Sequence, residues 1–260
     1  MTSIVGGTLA TAAGAGEASG QSGAAEPEHY VWRQYILRNG TAPRRLADYL
    51  QTAAIPALNR AGHAPVGAFE VVTGVPGPTV FLLIPLRTLA SLGELEAKLQ
   101  GDQDYQRAAA PYLDATAADP AYIRQETSLL SAFPRFPKLV VPAQTAAKGP
   151  RLFELRIYES PSEKAHLAKV KMFSELGEIE IFKRVGLTPV FFSRTTIGPR
   201  MPNLVYMLVY DDMAGREKSW AAFRNDPEWK KLSATPGFTD PEIVSNITSI
   251  YLRPAAYSQI

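Results

Sequence analysis

The chain has 260 residues, 46% of them hydrophobic and 20% charged, with a net charge of +2 and no cysteine. That length admits one large domain or two of ordinary size, with enough apolar content to bury a core. Disulfides, thiol chemistry and cysteine-ligated metal centres are excluded, and without a Lys/Arg cluster no nucleic-acid surface is expected.

Residues 1–26 are mostly Ala, Gly, Ser and Thr without Lys or Arg, and they read as a disordered tail. Ser3 to Gly16 also resembles the apolar, small-residue part of an export signal, but its positive front is missing. Two readings stay open: a periplasmic protein if an upstream start completes the signal, or a cytoplasmic protein with a plain tail. No apolar run reaches the roughly 18–20 residues that a membrane-spanning helix needs.

Residues 27–137 read as a first domain. Tyr30–Leu37 is a strand rich in aromatic and β-branched residues. A helix runs from the turn at Asn39–Pro43 to Arg60, with a kink expected at Pro56 and a stop at Gly62. Val66–Val72 and Thr79–Leu86 are strands around Gly74–Pro78. Leu89, Leu92, Leu95 and Leu99 recur at helical spacing; a shorter helix at Tyr105–Leu113 and a strand at Tyr122–Phe133 follow. Residues 138–150 are a Pro-containing linker. The second domain, 151–260, repeats the order: a strand at Arg151–Glu159, a long helix over Ser162–Val185, strands at Thr188–Ile197 and Leu204–Tyr210, and two helices. The first helix carries Met213, Trp220 and Phe223 on one face, the second spans Glu228–Leu232, and the last strand is Ile243–Arg253.

The two halves align at a nearly constant offset. Arg33-x-Tyr35 matches Arg156-x-Tyr158, Arg60-Ala-Gly62 matches Arg184-Val-Gly186, and Pro78 matches Pro202. Leu99, Asp102 and Tyr105 match Phe223, Asp226 and Trp229, and Thr127-Ser128 matches Thr248-Ser249. Each half therefore has the ferredoxin-like order β-α-β-β-α-β. Such a half leaves one sheet face bare, and the other half is the simplest cover for it. The fold class is α+β: two tandem ferredoxin-like halves closing a single-chain barrel with helices outside. Along Phe153–Tyr158 the apolar set Phe153, Leu155 and Ile157 is expected under the helices. The set Glu154, Arg156 and Tyr158 is expected to face a wet or ion-paired interior between the sheets.

Phe153–Glu159, Phe182–Pro189, Pro202–Tyr210 and Trp220–Lys230 together resemble the NIPSNAP family over about Arg151–Tyr257. The first half is similar to the degenerate partner domain of two-domain bacterial members. The resemblance implies the dimeric α+β barrel superfamily, whose members include cofactor-free monooxygenases and haem-dependent enzymes. It supports fold more than activity.

Candidate site residues follow from the repeat. A guanidinium beside phenols, Arg156 with Tyr158 or Arg33 with Tyr35, suits a carboxylate or enolate; the competing reading is an internal ion pair of Arg156 with Glu154. Asn203, Tyr206, Asn246 and Tyr251 lie on or beside neighbouring strands and are candidates for the same cavity, although their types are common in strands. Of the three histidines, His29 and His63 read as surface or capping residues. His166 reads as either structural or a cavity-facing haem ligand or acid–base. Asp211-Asp212 reads as a helix cap, and no phosphate loop, nucleophile elbow or zinc motif is visible. The expectation is a barrel that binds a small hydrophobic or aromatic molecule, with no cofactor. The alternative is an oxygen-using enzyme, cofactor-free or haem-dependent, with a pocket reached by Arg156 or His166. A homo-oligomer formed through sheet edges or helices fits either reading.

Overall fold

A computed structural model describes residues 26–260. The expected tail and export-signal segment lie outside the described residues, apart from Glu26. Eight antiparallel strands form one closed ring in the order β1-β3-β2-β8-β5-β7-β6-β4. The first half supplies β1 (His29–Ile36), β2 (Gly67–Thr73), β3 (Thr79–Leu86) and β4 (Arg124–Ala132). The second supplies β5 (Leu152–Glu159), β6 (Thr188–Ile197), β7 (Asn203–Tyr210) and β8 (Asn246–Pro254). Within each half the order is that of a ferredoxin-like sheet. The halves join where β2 meets β8 and β4 meets β6.

The repeat is visible in the strand register. Arg33 lies opposite Leu82, and Arg156 opposite Tyr206. On the other side Arg33 faces Thr127 while Arg156 faces Ser249, so the last strand is one residue out of step with the sequence match of Thr127 to Thr248. The repeated Arg and Asp have one shared job. Asp102 caps the second-layer helix at Tyr105 and pairs with Arg60 at 2.6 Å; Asp226 caps at Trp229 and pairs with Arg184 at 2.8 Å.

The helices differ from expectation at two places. The first passes from α1 (Ala42–Tyr49) through a π-helical turn, Leu50–Ala54, into α2 (Ile55–Arg60). Pro56 sits in the first turn of α2, where its missing N–H is tolerated, so the chain re-phases before the proline. The helix expected over Ser162–Val185 is two: α6 (Glu163–Ser174) and α7 (Glu178–Arg184). Gly177, at φ +93°, breaks them and leaves Leu176 at the surface. The remaining helices are α3 (Ala90–Gly101), α4 (Gln103–Leu113), the short α5 (Ala143–Ala146) in the linker, α8 (Met213–Asn225), α9 (Pro227–Ser233) and α10 (Asp240–Ile243). Of the α3 leucine stripe only Leu95 is fully buried; Leu89 and Leu92 are exposed.

Side-chain parity is the reverse of expectation. Phe153 and Leu155 are buried in the barrel interior with Trp32, Phe69, Phe81 and Phe191, and Ile157 packs against that cluster. Glu154, Arg156 and Tyr158 lie beneath the helices, where Tyr158 joins Phe173, Phe182 and Trp220. The physical reason is that each barrel face must cover the other half's bare sheet, and that dry contact takes the purely apolar set. The layer under the helices takes the charges because α8 delivers Arg216 and Trp220 as partners there. One end of the barrel is stopped by the C-terminus: Ile260 is fully buried in the interior cluster, and Gln259 bonds Val66 through backbone and side chain.

Candidate functional site

Under the C-terminal helices the predicted residues form a closed polar knot. Glu154 has no solvent exposure and accepts five hydrogen bonds, from Arg156 (3.0 Å), Arg216 (2.9 and 3.1 Å), Trp220 (2.9 Å) and Tyr210 (3.2 Å). Burial pushes the Glu154 carboxyl up, and the Arg216, Arg156 and Trp220 donors outweigh it and hold it below the usual carboxylate range. Arg156 also donates to Tyr158 at 3.0 Å and lies over the Trp220 ring at 4.6 Å; Tyr206 donates on to Tyr158 at 3.2 Å. The internal ion pair of Arg156 with Glu154 is therefore present. Beside it Lys169, 1% exposed, sits 3.5 Å from both Glu178 and Asp240 and faces the rings of Tyr158, Phe173 and Trp229. Burial raises the Glu178 carboxyl to about 7, while its acidic neighbours, Glu178 foremost, overcome burial and keep Lys169 charged.

The equivalent layer of the N-terminal half is not closed. Along the repeat, Val31 stands where the other half has Glu154, and Leu92 and Glu96 stand for Arg216 and Trp220. The carboxylate and the large indole that fill the C-terminal layer are both missing. A cavity of about 490 Å³ takes their place, lined by Arg33, Tyr35, Tyr49, Leu82, Leu95 and Tyr105 among others. Exposed Glu96, Gln100 and Gln106 form its mouth between α3 and α4. Arg33 is half-buried beside the Tyr35 hydroxyl, donates to Thr127 Oγ1 at 3.3 Å, and has no ion pair among the described residues. Burial opposes the Arg33 charge, and the phenols of Tyr35, Tyr49 and Tyr112 outweigh it, so the guanidinium stays protonated. Tyr49 stacks on Tyr112 at 3.8 Å and its hydroxyl lies 3.0 Å from that of Tyr105.

The other candidates scatter. Asn203 is buried at the far end of the barrel, accepting from Thr195 at 2.6 Å and donating to the carbonyls of Pro199 and Arg200. Asn246 is exposed and donates to Glu159. Tyr251 lies under Arg216. His166 is buried with Nδ1 unpartnered, its pKa lowered by burial, and it does not line this cavity. His63 is buried, bonding the Pro85 carbonyl, and so does not lie at the surface as expected, while His29 is half-buried and lies 2.9 Å from the Ser131 hydroxyl. No imidazole thus lines this cavity to ligate a haem. The oxygen-using alternative expected a pocket reached by Arg156 or His166, and neither residue lines this cavity. Sequence reading missed Tyr49 and Tyr105, whose one visible signal was their place opposite Phe173 and Trp229 in the repeat.

Residues 153–259 match the NIPSNAP family model. A candidate monooxygenase from Lactobacillus acidophilus NCFM shares the fold at TM-score 0.57 and 9% identity, over 88% of this chain and 94% of that one. A candidate chlorite dismutase does so at TM-score 0.50 and 13% identity, over 89% of this chain and 96% of that one. An uncharacterized NIPSNAP-like domain protein from Burkholderia xenovorans is 22% identical over 42% of this chain and 88% of its own, at TM-score 0.37. No curated protein matches the chain.

Proposed function

Starting from the match of residues 153–259 to the NIPSNAP family model, we propose that the protein binds a small aromatic carboxylate in the cavity beneath its N-terminal helices. The C-terminal half is the stable frame, and the N-terminal half is the binding half. The observation that carries this is the contrast between Arg156, neutralised by buried Glu154, and Arg33, which meets only phenols and a hydroxyl. An uncompensated guanidinium at the edge of an apolar cavity suits a bidentate carboxylate. The walls Leu82, Leu95 and Tyr49 suit a ring, and about 490 Å³ lies within the usual range for small-molecule sites.

Calorimetric titration tests it with 2-naphthoate and its uncharged analogue 2-naphthalenemethanol. The charged ligand is expected to bind about 10- to 100-fold more tightly, the worth of one charge-assisted hydrogen-bond pair. Arg33→Met is expected to erase that difference. Equal affinity for the two ligands, or a preference that survives Arg33→Met, overturns the proposal.

A further inference from the structure

The barrel has a second cavity, at the end opposite the C-terminal plug. It measures about 340 Å³, and strands of both halves line it. Its floor is apolar: Leu130, Leu155, Val205 and Ile250 surround Trp32, which stacks on Phe81 at 4.9 Å. The turns at Val75-Pro76 and Pro199-Arg200 frame its mouth. Just inside the mouth are Gln34 and Ser128, both half-buried and neither making a side-chain hydrogen bond among the described residues. Asn203 and Thr195 are different, because they satisfy each other and hold the Pro199-Arg200 turn in place. Two formal charges line the cavity, both at its mouth. Glu126 pairs with Arg124 at 3.4 Å, and Arg200 reaches Thr248 at 3.4 Å.

We infer that this mouth is a second binding site, for an uncharged aromatic molecule carrying a hydroxyl or carbonyl at its outer end. The ring enters over Trp32 and Phe81, and the polar end meets the Gln34 amide and the Ser128 hydroxyl. A charge on the buried ring is disfavoured because the floor of Leu130, Leu155, Val205 and Ile250 offers no counter-charge and burying an unpaired ion is costly. The opposite end is plugged by Ile260, so the site is blind and is entered only from the mouth. It is separate from the Arg33 cavity, which lies on the outer face of the same sheet.

The three tryptophans give a direct readout, because Trp32 lines this cavity and Trp220 and Trp229 lie under the C-terminal helices. The experiment titrates 4-methoxyacetophenone into 15N-labelled protein and follows the indole N–H signals, with that of Trp32 assigned by its loss in Trp32→Phe. The Trp32 signal is expected to move saturably while the other two stay still. Ile157→Phe, which fills the mouth, is expected to abolish the movement. Gln34→Leu, at a half-buried position with no internal partner to lose, is expected to weaken binding about fivefold. Arg33→Met is expected to leave the movement intact, so this inference and the aromatic-carboxylate reading fail separately. No saturable Trp32 shift, a shift unchanged by both Ile157→Phe and Gln34→Leu, or a shift lost in Arg33→Met overturns the inference.

Discussion

Arg33 and Arg156 stand at the same place in the two halves, and their surroundings assign them opposite tasks. Arg156 belongs to a structural network in which Glu154 is the hub. Glu154→Ala leaves two buried guanidinium groups short of their carboxylate, and the expected cost is about 3–5 kcal/mol, the range for breaking a buried pair. Arg33→Leu removes no ion pair and is expected to change stability by less than about 1 kcal/mol. Urea denaturation of the two variants separates them. Glu178 gives a pH signature. Its folded pKa, about 7, lies above that of an unfolded glutamate, about 4.3, so its contribution is fully present below the lower value and is lost as pH rises through about 7. Wild type minus Glu178→Gln isolates this from His166, whose pKa is lowered by burial and whose contribution has the opposite sign. The wild type is expected to gain stability relative to the variant between pH 8 and pH 5.5, by on the order of 1–2 kcal/mol. A flat difference in denaturation midpoint would remove the assignment.

At the scale of elements, two glycines with open space at their Cβ positions make opposite predictions. Gly177 holds φ +93° between α6 and α7, with open space around its Cβ position. Gly177→Ala is thus a pure backbone penalty of about 1 kcal/mol. Gly93 lies inside α3, also with open space, and Gly93→Ala is expected to stabilise by about 0.5–1 kcal/mol. Thermal melts should move in opposite directions. Gly177 also shows why part of the chain was illegible. The apolar spacing of Met172, Ile179 and Phe182 runs through it at helical period, and a glycine inside such a pattern does not by itself announce a break. Strands were easier: Thr79–Leu86 and Thr188–Ile197 are bounded by glycine and proline turns, and the structure keeps both ranges. The Arg33/Tyr35 pair was found by the repeat, but its cavity was not. The cavity depends on what α3 lacks, Leu92 and Glu96 in place of Arg216 and Trp220.

At the scale of the molecule, the repeat was enough for the barrel but not for its inside. Alternation along Phe153–Tyr158 separates two faces without saying which one meets the helices, and the polar face was assigned to the wrong side. The deciding information was on α8, whose Arg216 and Trp220 reach the carboxylate of Glu154. Among the described residues the closed ring leaves no free strand edge, which leaves their helices and loops as surfaces for association of copies. The two halves bury each other's apolar sheet face, so residues 151–260 made alone are expected to dimerise or precipitate. A monodisperse monomer by light scattering would contradict the barrel as the unit of stability. The central claim is that the open half binds and the closed half supports. The most direct test is a crystal of the protein grown with 6-bromo-2-naphthoate, read by the anomalous signal of bromine. One bromine peak is expected beneath α3 and α4, with the carboxylate on Arg33. A bromine beside Arg156, or an empty N-terminal cavity at saturating ligand, would contradict it.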